Sequence, residues 1–170
     1  MTSSTKKSAI TASIYILLCA GAFAIIAAMW LRFSHAAARN AVTLALGSDG
    51  RAILEHLLAA IGLPLFLHML LVAPVKTPAN WAFGQREQYR RLPNILMEVS
   101  HMLDRYCGAI ISATYFACAL HWEHYQAYVS VYGQAPRGYV QGGQLLADAA
   151  GAVLAVVIAK AVRLRPRGQE

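Results

Sequence analysis

Long apolar segments alternate with short charged ones along this chain. Residues 8–31 carry no charged side chain and are rich in Ile, Leu and Ala. Further apolar segments cover residues 52–75, 106–122 and 143–163; Glu55 and His56 lie near the start of the first, and Asp148 near the start of the last. Each segment is close to the roughly 20 residues that an α-helix needs to cross a hydrocarbon core. The pattern predicts an all-α integral membrane protein with four transmembrane helices.

The composition strengthens the membrane assignment. Hydrophobic residues make up 58% of the chain and charged residues 14%, whereas about a quarter of the residues of a soluble domain are charged. No internal repeat or long linker divides the chain, so residues 1–170 are predicted to form a single transmembrane domain. The three cysteines include no CxxC pair, which argues against a disulfide scaffold and against a dithiol redox motif.

The basic residues predict the orientation of the four helices. With four spans both termini lie on one side, and that side carries eleven of the fifteen Lys and Arg residues. Because Lys and Arg are retained in cytoplasmic loops, both termini are expected to be cytoplasmic. We expect a bacterial inner-membrane location. The net charge of +7 is then a consequence of topology and lipid contact, and no nucleic-acid partner is expected. The four residues on the outer side are Arg32, Arg39, Arg51 and Arg137.

The longest connection is the predicted cytoplasmic loop of residues 76–105. From Leu92 to Leu103 its apolar residues recur with a nearly helical period. Trp81, Phe83 and Tyr89 lie beside arginines, as is common in the interfacial belt of a membrane protein. We therefore expect an interfacial helix that leads into the third span.

Two rows of small residues predict how the helices pack. Ala147, Gly151, Ala155 and Ala159 recur every four residues in the fourth span, and Ala20, Ala24 and Ala28 do the same in the first. Such rows allow helix backbones to approach closely, so the spans are expected to form a bundle.

Polar residues from three of the spans are predicted to meet at the outer face. Ionisable side chains within a span are costly to insert and mark candidate functional sites. Asp148 lies about one turn inside the fourth span and needs a partner, for which Arg51 or Arg137 is expected. The outer-face residues are Glu55 and His56 in the second span, His121, Glu123, His124 and Gln126 at the end of the third, and Gln141, Gln144 and Asp148 in the fourth.

The same region resembles the C-terminal half of VanZ-like membrane proteins. Glu123-x-x-Gln126, then Arg137, then "QLLADAAGAVLA" follow that family's order of an acid, a Gln, an Arg and an Asp-x-x-x-Asn-x-x-Gly motif. Gln144 stands where the family has Asp, and Asp148 where it has Asn, so the carboxylate is displaced by one turn on the same face. The family also has an acid-Lys-x-x-His motif at its second span, where this chain has Arg51, Glu55 and His56 in altered order. The resemblance implies a four-helix envelope protein, linked in some members to glycopeptide-antibiotic tolerance.

The leading hypothesis is an outer-face pocket that binds a lipid or glycopeptide headgroup. Arg137 would hold an anionic group, and the acids would fix the ligand or accept a proton. Whether the site is catalytic stays open, because the sequence gives no distance between Glu123 and Asp148. The expected ligand-binding residues are Glu55, His56, Glu123, Gln126, Arg137, Gln144 and Asp148. The alternative is an accessory or structural subunit that packs against other membrane proteins or against itself.

Two cofactor hypotheses are weaker, and no cofactor is expected. Haem between facing helices would use His68 and His101, with His56 and His121 nearer the outer face. The spacing is 12 residues in one helix and 20 in the other, about 18 Å against 30 Å, so at most one pair matches in depth. A metal site would use His121 and His124 of "HWEH", but this lacks the HExxH spacing of a strong zinc motif.

Overall fold

The computed structural model describes residues 3–34, 37–82, 98–99, 102–131 and 133–161. Four long helices account for most of this part of the chain. Helix α1 covers Ser3–Phe33, α2 covers Ala37–Ala82, α3 covers Gly108–Tyr128 and α4 covers Gly142–Ala161. A π-helical turn, Leu103–Cys107, leads directly into α3. The all-α class predicted from the sequence is confirmed for the described residues.

Helix α2 is the centre of the packing. It packs against α1 and α4, while α3 lies against both α4 and α2. An apolar core joins three of these helices at the end of the bundle where α1 begins and α4 ends. Its buried members are Ile14 and Leu17 of α1, Leu65, Met69 and Val72 of α2, and Ala155 and Ala159 of α4.

Three helical segments are long and apolar enough to cross a membrane: Ala12–Phe33, Arg39–Val72 and Gly142–Ala161. They overlap the predicted first, second and fourth spans. Helix α3 contains residues 108–122 of the predicted third span, whose first two residues belong to the π-helical turn. It continues six residues past Trp122 into polar sequence, and it is not among the three candidate spans. Among the described residues, the structure thus supports a membrane protein with three candidate spans.

Helix α2 differs most from the sequence-based prediction. It starts at Ala37, well before residue 52, and its only described break is at Gly47, where φ is 75° and ψ is 172°. Glycine adopts such a φ more readily than other residues. Gly47 therefore allows a shorter helical segment, residues 37–46, to precede the apolar segment in the same helix. The prediction missed this segment because it counted only apolar length.

The predicted loop of residues 76–105 is partly helical. Helix α2 continues through Pro74 and Pro78 to Ala82, so the assignment of residues 76–82 to a loop was wrong. Membrane helices tolerate proline because neighbouring groups can satisfy the freed carbonyl. Glu98 and Val99 are helical. Of the predicted interfacial helix, residues 92–97, 100 and 101 lie outside the described residues.

Small residues allow close helix contacts, but the row predicted in α1 is confirmed only in part, since Ala24 and Ala28 are buried and Ala20 is exposed. A Cβ atom on Gly62 of α2 would lie 2.9 Å from the carbonyl oxygen of Gly21 in α1. A Cβ atom on Gly151 of α4 would lie 2.6 Å from the Cβ of Ala60 in α2. All four members of the α4 row, Ala147, Gly151, Ala155 and Ala159, are buried. This row is therefore used to pack α4 within the bundle.

Candidate functional site

A set of charged and polar side chains, here called the polar cluster, occupies the end of the bundle opposite the apolar core. Three carboxylates, one from each of α2, α3 and α4, are buried in it: Glu55, Glu123 and Asp148. Because an isolated buried charge is costly, each carboxylate requires a specific partner. The cluster consists of Arg32, Arg51, Glu55, His56, Tyr115, Glu123, Gln126, Arg137 and Asp148.

Glu55 binds two arginines and ties α1 to α2. Arg32 Nη1, at the end of α1, donates to Glu55 Oε1 at 3.1 Å. Arg51 Nη1, one turn before Glu55 in α2, lies 3.6 Å from Oε2. The same Nη1 donates to the carbonyl oxygen of Leu31 at 2.8 Å. Arginine thus binds both the buried carboxylate and a carbonyl at the C-terminal end of α1, where the helix dipole favours positive charge.

Asp148 connects three helices through two hydrogen bonds. Its Oδ2 lies 2.8 Å from His56 Nδ1 of α2, and its Oδ1 accepts a hydrogen bond from the Tyr115 hydroxyl of α3 at 3.0 Å. Asp148 is 0% exposed. The predicted pairing of Asp148 with Arg51 or Arg137 was therefore wrong. Those arginines are held by Glu55 and Glu123, which lie closer to them.

This geometry determines the tautomer of a neutral His56. An ionised carboxylate can only accept hydrogen bonds, so Nδ1 must carry the hydrogen in the contact with Asp148. The lone pair of the neutral ring is then on Nε2. The His56 side chain is 16% exposed and lines the cavity described below. A buried carboxylate therefore orients a ring nitrogen that can accept a proton or a hydrogen bond.

Glu123 is held by the loop that follows its own helix. Arg137 Nη2 donates to Glu123 Oε2 at 2.9 Å and to Gln126 Oε1 at 2.7 Å. The loop reaches this position because the backbone N–H groups of Arg137 and Gly138 donate to carbonyl oxygens of Gln126 and Ala127 at 3.3 and 2.8 Å. The backbone N–H of Gln141 also approaches Glu123 Oε2, at 3.4 Å. The end of α3 and the start of α4 are thereby fixed relative to each other.

A cavity of about 210 Å³ opens within the polar cluster. Charged groups, amides and an indole ring form its walls, and its described lining combines residues of α1, α2, α3 and α4 with Gln141, which precedes α4. The lining residues are Arg32, Arg51, Ala52, Glu55, His56, Trp122, Glu123, Gln126, Gln141 and Gln144.

The structure brings the seven predicted site residues together in two layers. Glu55, His56, Glu123, Gln126 and Gln144 line the cavity. Asp148 and Arg137 lie behind them, where they hold His56 and Glu123. This arrangement agrees with the expectation that polar residues of three helices meet at one depth.

Sequence reasoning missed two members of the polar cluster. Tyr115 was read as part of an apolar span, although a buried tyrosine hydroxyl usually requires a partner and could have suggested a polar neighbour. Arg32 was counted only as a topological charge. Its position directly after the first span, with Glu55 early in the second, was a usable signal for an ion pair.

The weaker cofactor candidates lie apart from the cavity. His121 and His124 are exposed on α3. The His121 ring stacks on Tyr125 with ring centroids 6.3 Å apart, and the His124 ring is tilted against Tyr128 at 4.9 Å. His68 is buried next to Gly108, and His101 lies outside the described residues. Within the part of the chain that the structure describes, no three His, Cys, Asp or Glu side chains group closely enough to hold a metal ion.

Comparison with known proteins returned no match: no family model fits this chain, and neither a curated protein nor a solved structure is significantly similar to it. The resemblance to VanZ-like proteins accordingly depends on the motif residues alone, and function must be argued from the polar cluster.

Proposed function

We propose that this protein binds the polar headgroup of a membrane lipid in the cavity of the polar cluster. In this proposal all four helices span a bacterial inner membrane, both termini are cytoplasmic, and the cavity faces the outer side. The three strongly apolar helices support membrane insertion. Large apolar side chains project from their surfaces, as expected for contact with acyl chains: Phe23, Ile26, Leu146 and Val153 are all more than 60% exposed.

The observation that carries the proposal is an open cavity among buried charges. Three carboxylates and their partners are costly to keep in a membrane protein, and such groups mark functional sites by default. A purely structural cluster would be expected to pack closely, because protein interiors leave few voids larger than a water molecule. The cavity of about 210 Å³ is instead lined by charged groups and by three glutamine side chains.

The size and accessibility of the cavity favour a headgroup. It is smaller than the roughly 300–1,000 Å³ of a site for a whole drug-sized molecule, so it suits one polar part of a larger ligand. The side chain of Arg32 is 46% exposed and is the most accessible arginine of the three. An arginine at this position can bind a phosphate oxygen without losing its contact to Glu55.

Two other functions can be tested by the experiment that tests lipid binding. The motif resemblance supports a glycopeptide or lipid-linked sugar as the occupant of the same cavity. The accessory-subunit alternative would need a packing surface other than the small-residue row of α4, which is buried within the bundle. The lipid-binding proposal is preferred because it accounts for the cavity.

The proposal is tested by native mass spectrometry of the protein extracted in mild detergent. We expect wild-type protein to retain a lipid, and Arg32→Ala to lose it. Arg39→Ala is the matched control, since Arg39 donates to the same Leu31 carbonyl oxygen as Arg51 but does not line the cavity. Equal lipid retention by all three proteins would refute the proposal. A co-purifying subunit would support the accessory role, and a haem or metal adduct would contradict the expectation of no cofactor.

A further inference from the structure

The charges of the polar cluster balance when His56 is neutral. Three arginines and three carboxylates surround the cavity or stand directly behind its wall, paired as Arg32 and Arg51 with Glu55, and Arg137 with Glu123. Asp148 is the third carboxylate and is paired with His56. A ligand with a net charge would leave a surplus in a partly water-excluded site, which is unfavourable. With His56 in its neutral form, this balance favours a ligand with no net charge.

The two sides of the cavity differ in the groups they offer. Arg32 supplies exposed guanidinium donors for an anionic group. His56 supplies an acceptor at Nε2, because Asp148 occupies Nδ1. Trp122 also lines the cavity, and indole faces attract cations. The ligand should thus carry an anion for Arg32 and a hydrogen-bond donor, preferably cationic, for His56.

These features together define a zwitterion. We infer that the cavity binds the phosphoethanolamine headgroup of a lipid, with its phosphate at Arg32 and its ammonium donating to His56 Nε2. This inference rests on the proposed lipid-binding function and narrows it to one headgroup. Phosphatidylethanolamine meets both requirements. Phosphatidylcholine has the same net charge but no N–H donor, and phosphatidylglycerol has hydroxyl donors but a net negative charge.

The first test is a competition among these three lipids with identical acyl chains, using wild-type protein in detergent and native mass spectrometry. A hydrogen bond from a charged donor predicts a preference of about tenfold or more for phosphatidylethanolamine over phosphatidylcholine. Phosphatidylglycerol should also bind more weakly, because its charge is uncompensated. Free phosphoethanolamine should displace the lipid only at much higher concentration, since it lacks acyl chains; equal affinity would overturn the assignment to a lipid.

Two substitutions of His56 distinguish the roles of its two ring nitrogens. His56→Asn keeps a donor near Nδ1 for Asp148 but removes the acceptor at Nε2, whereas His56→Gln keeps an acceptor near Nε2. We expect the Asn variant to lose the preference for phosphatidylethanolamine over phosphatidylcholine and the Gln variant to retain much of it. If Arg32→Ala abolishes lipid binding but wild type binds the three lipids equally, the headgroup inference fails and the proposed function stands. If wild type retains no lipid, both fail.

Discussion

Replacing Asp148 is the most direct test of the hydrogen bonds that organise the polar cluster. Asp148→Ala removes both acceptors, so the Tyr115 hydroxyl and the Nδ1–H of His56 each lose a partner at a position where Asp148 itself is 0% exposed. Asp148→Asn keeps the size of the side chain and one acceptor oxygen for Tyr115. Its amide group would donate to His56 Nδ1, provided that the ring moves its hydrogen to Nε2.

The expected magnitudes follow from the number of donors left unpaired. A buried donor without a partner costs about 1–3 kcal/mol, which gives about 2–6 kcal/mol for two. Hydrogen bonds between membrane helices average only about 0.6 kcal/mol, because freed groups often find other partners. Since the largest such hydrogen bonds reach about 1.7 kcal/mol, two give at most about 3.4 kcal/mol, and we expect Asp148→Ala to lower the free energy of unfolding by about 2–3 kcal/mol, where the two ranges overlap. Asp148→Asn should lower it by about 1 kcal/mol, since both contacts can be re-formed.

Unfolding in a titration of denaturing against mild detergent, followed by tryptophan fluorescence, measures both variants against wild type. Nitrogen-15 spectra of labelled histidine should show the hydrogen of His56 on Nδ1 in wild type and on Nε2 in Asp148→Asn. The reasoning is refuted if Asp148→Ala stays within about 0.5 kcal/mol of wild type, as a surface substitution would. It is also refuted if Asn is as damaging as Ala, since the two differ in the hydrogen bonds they preserve.

Three further predictions concern the bundle itself. Arg137→Ala should cost about 3 kcal/mol in unfolding free energy by leaving Glu123 buried and unpaired, and adding Glu123→Gln should restore part of that loss; equal stability of single and double variants would contradict it. Gly151→Ala should cost about 1–3 kcal/mol through overpacking, because its Cβ would lie 2.6 Å from the Cβ of Ala60. Gly142→Ala should be neutral, as nothing lies within 4 Å there; equal melting temperatures would refute the overpacking argument. Reporter fusions should place both termini in the cytoplasm and the loop between α3 and α4 outside, and a periplasmic C-terminus would show that α3 does not cross.

The helices were largely predictable because their apolar length is a local property of the sequence. The membrane class and the helices around residues 8–31, 52–75 and 143–163 followed from composition and span length alone. The start of α2 was not predictable in this way, because residues 37–51 are neither apolar enough nor periodic enough to be read as a continuation. They are joined to the apolar segment through a non-helical residue, Gly47, whose φ of 75° favours glycine.

The sequence predicted that the site residues lie at the same depth in the helix bundle, but it did not predict which side chains contact each other. The distribution of Lys and Arg predicted an orientation of the spans, and that predicted orientation placed Glu55, Glu123 and Asp148 at one end. Which partner each carboxylate takes depends on rotation of the helices about their axes, which spacing along the chain does not determine. The contact of His56 with Asp148 joins residues 92 positions apart. Arginine was the expected partner of Asp148 on charge alone, and the packing gave it a histidine and a tyrosine instead.

The same bonds that form the polar cluster also hold the helix ends together. Glu55 joins α1 to α2, Asp148 joins α2, α3 and α4, and Glu123 joins α3 to the next loop. Loss of lipid binding after removal of a buried carboxylate would therefore not distinguish a damaged site from a damaged bundle. The better probes are cavity side chains whose carboxylate keeps a second partner when they are replaced. Arg32 meets this condition because Arg51 still contacts Glu55 and the Leu31 carbonyl oxygen of α1. His56 meets it because Tyr115 still donates to Asp148, and its two ring nitrogens can be replaced separately.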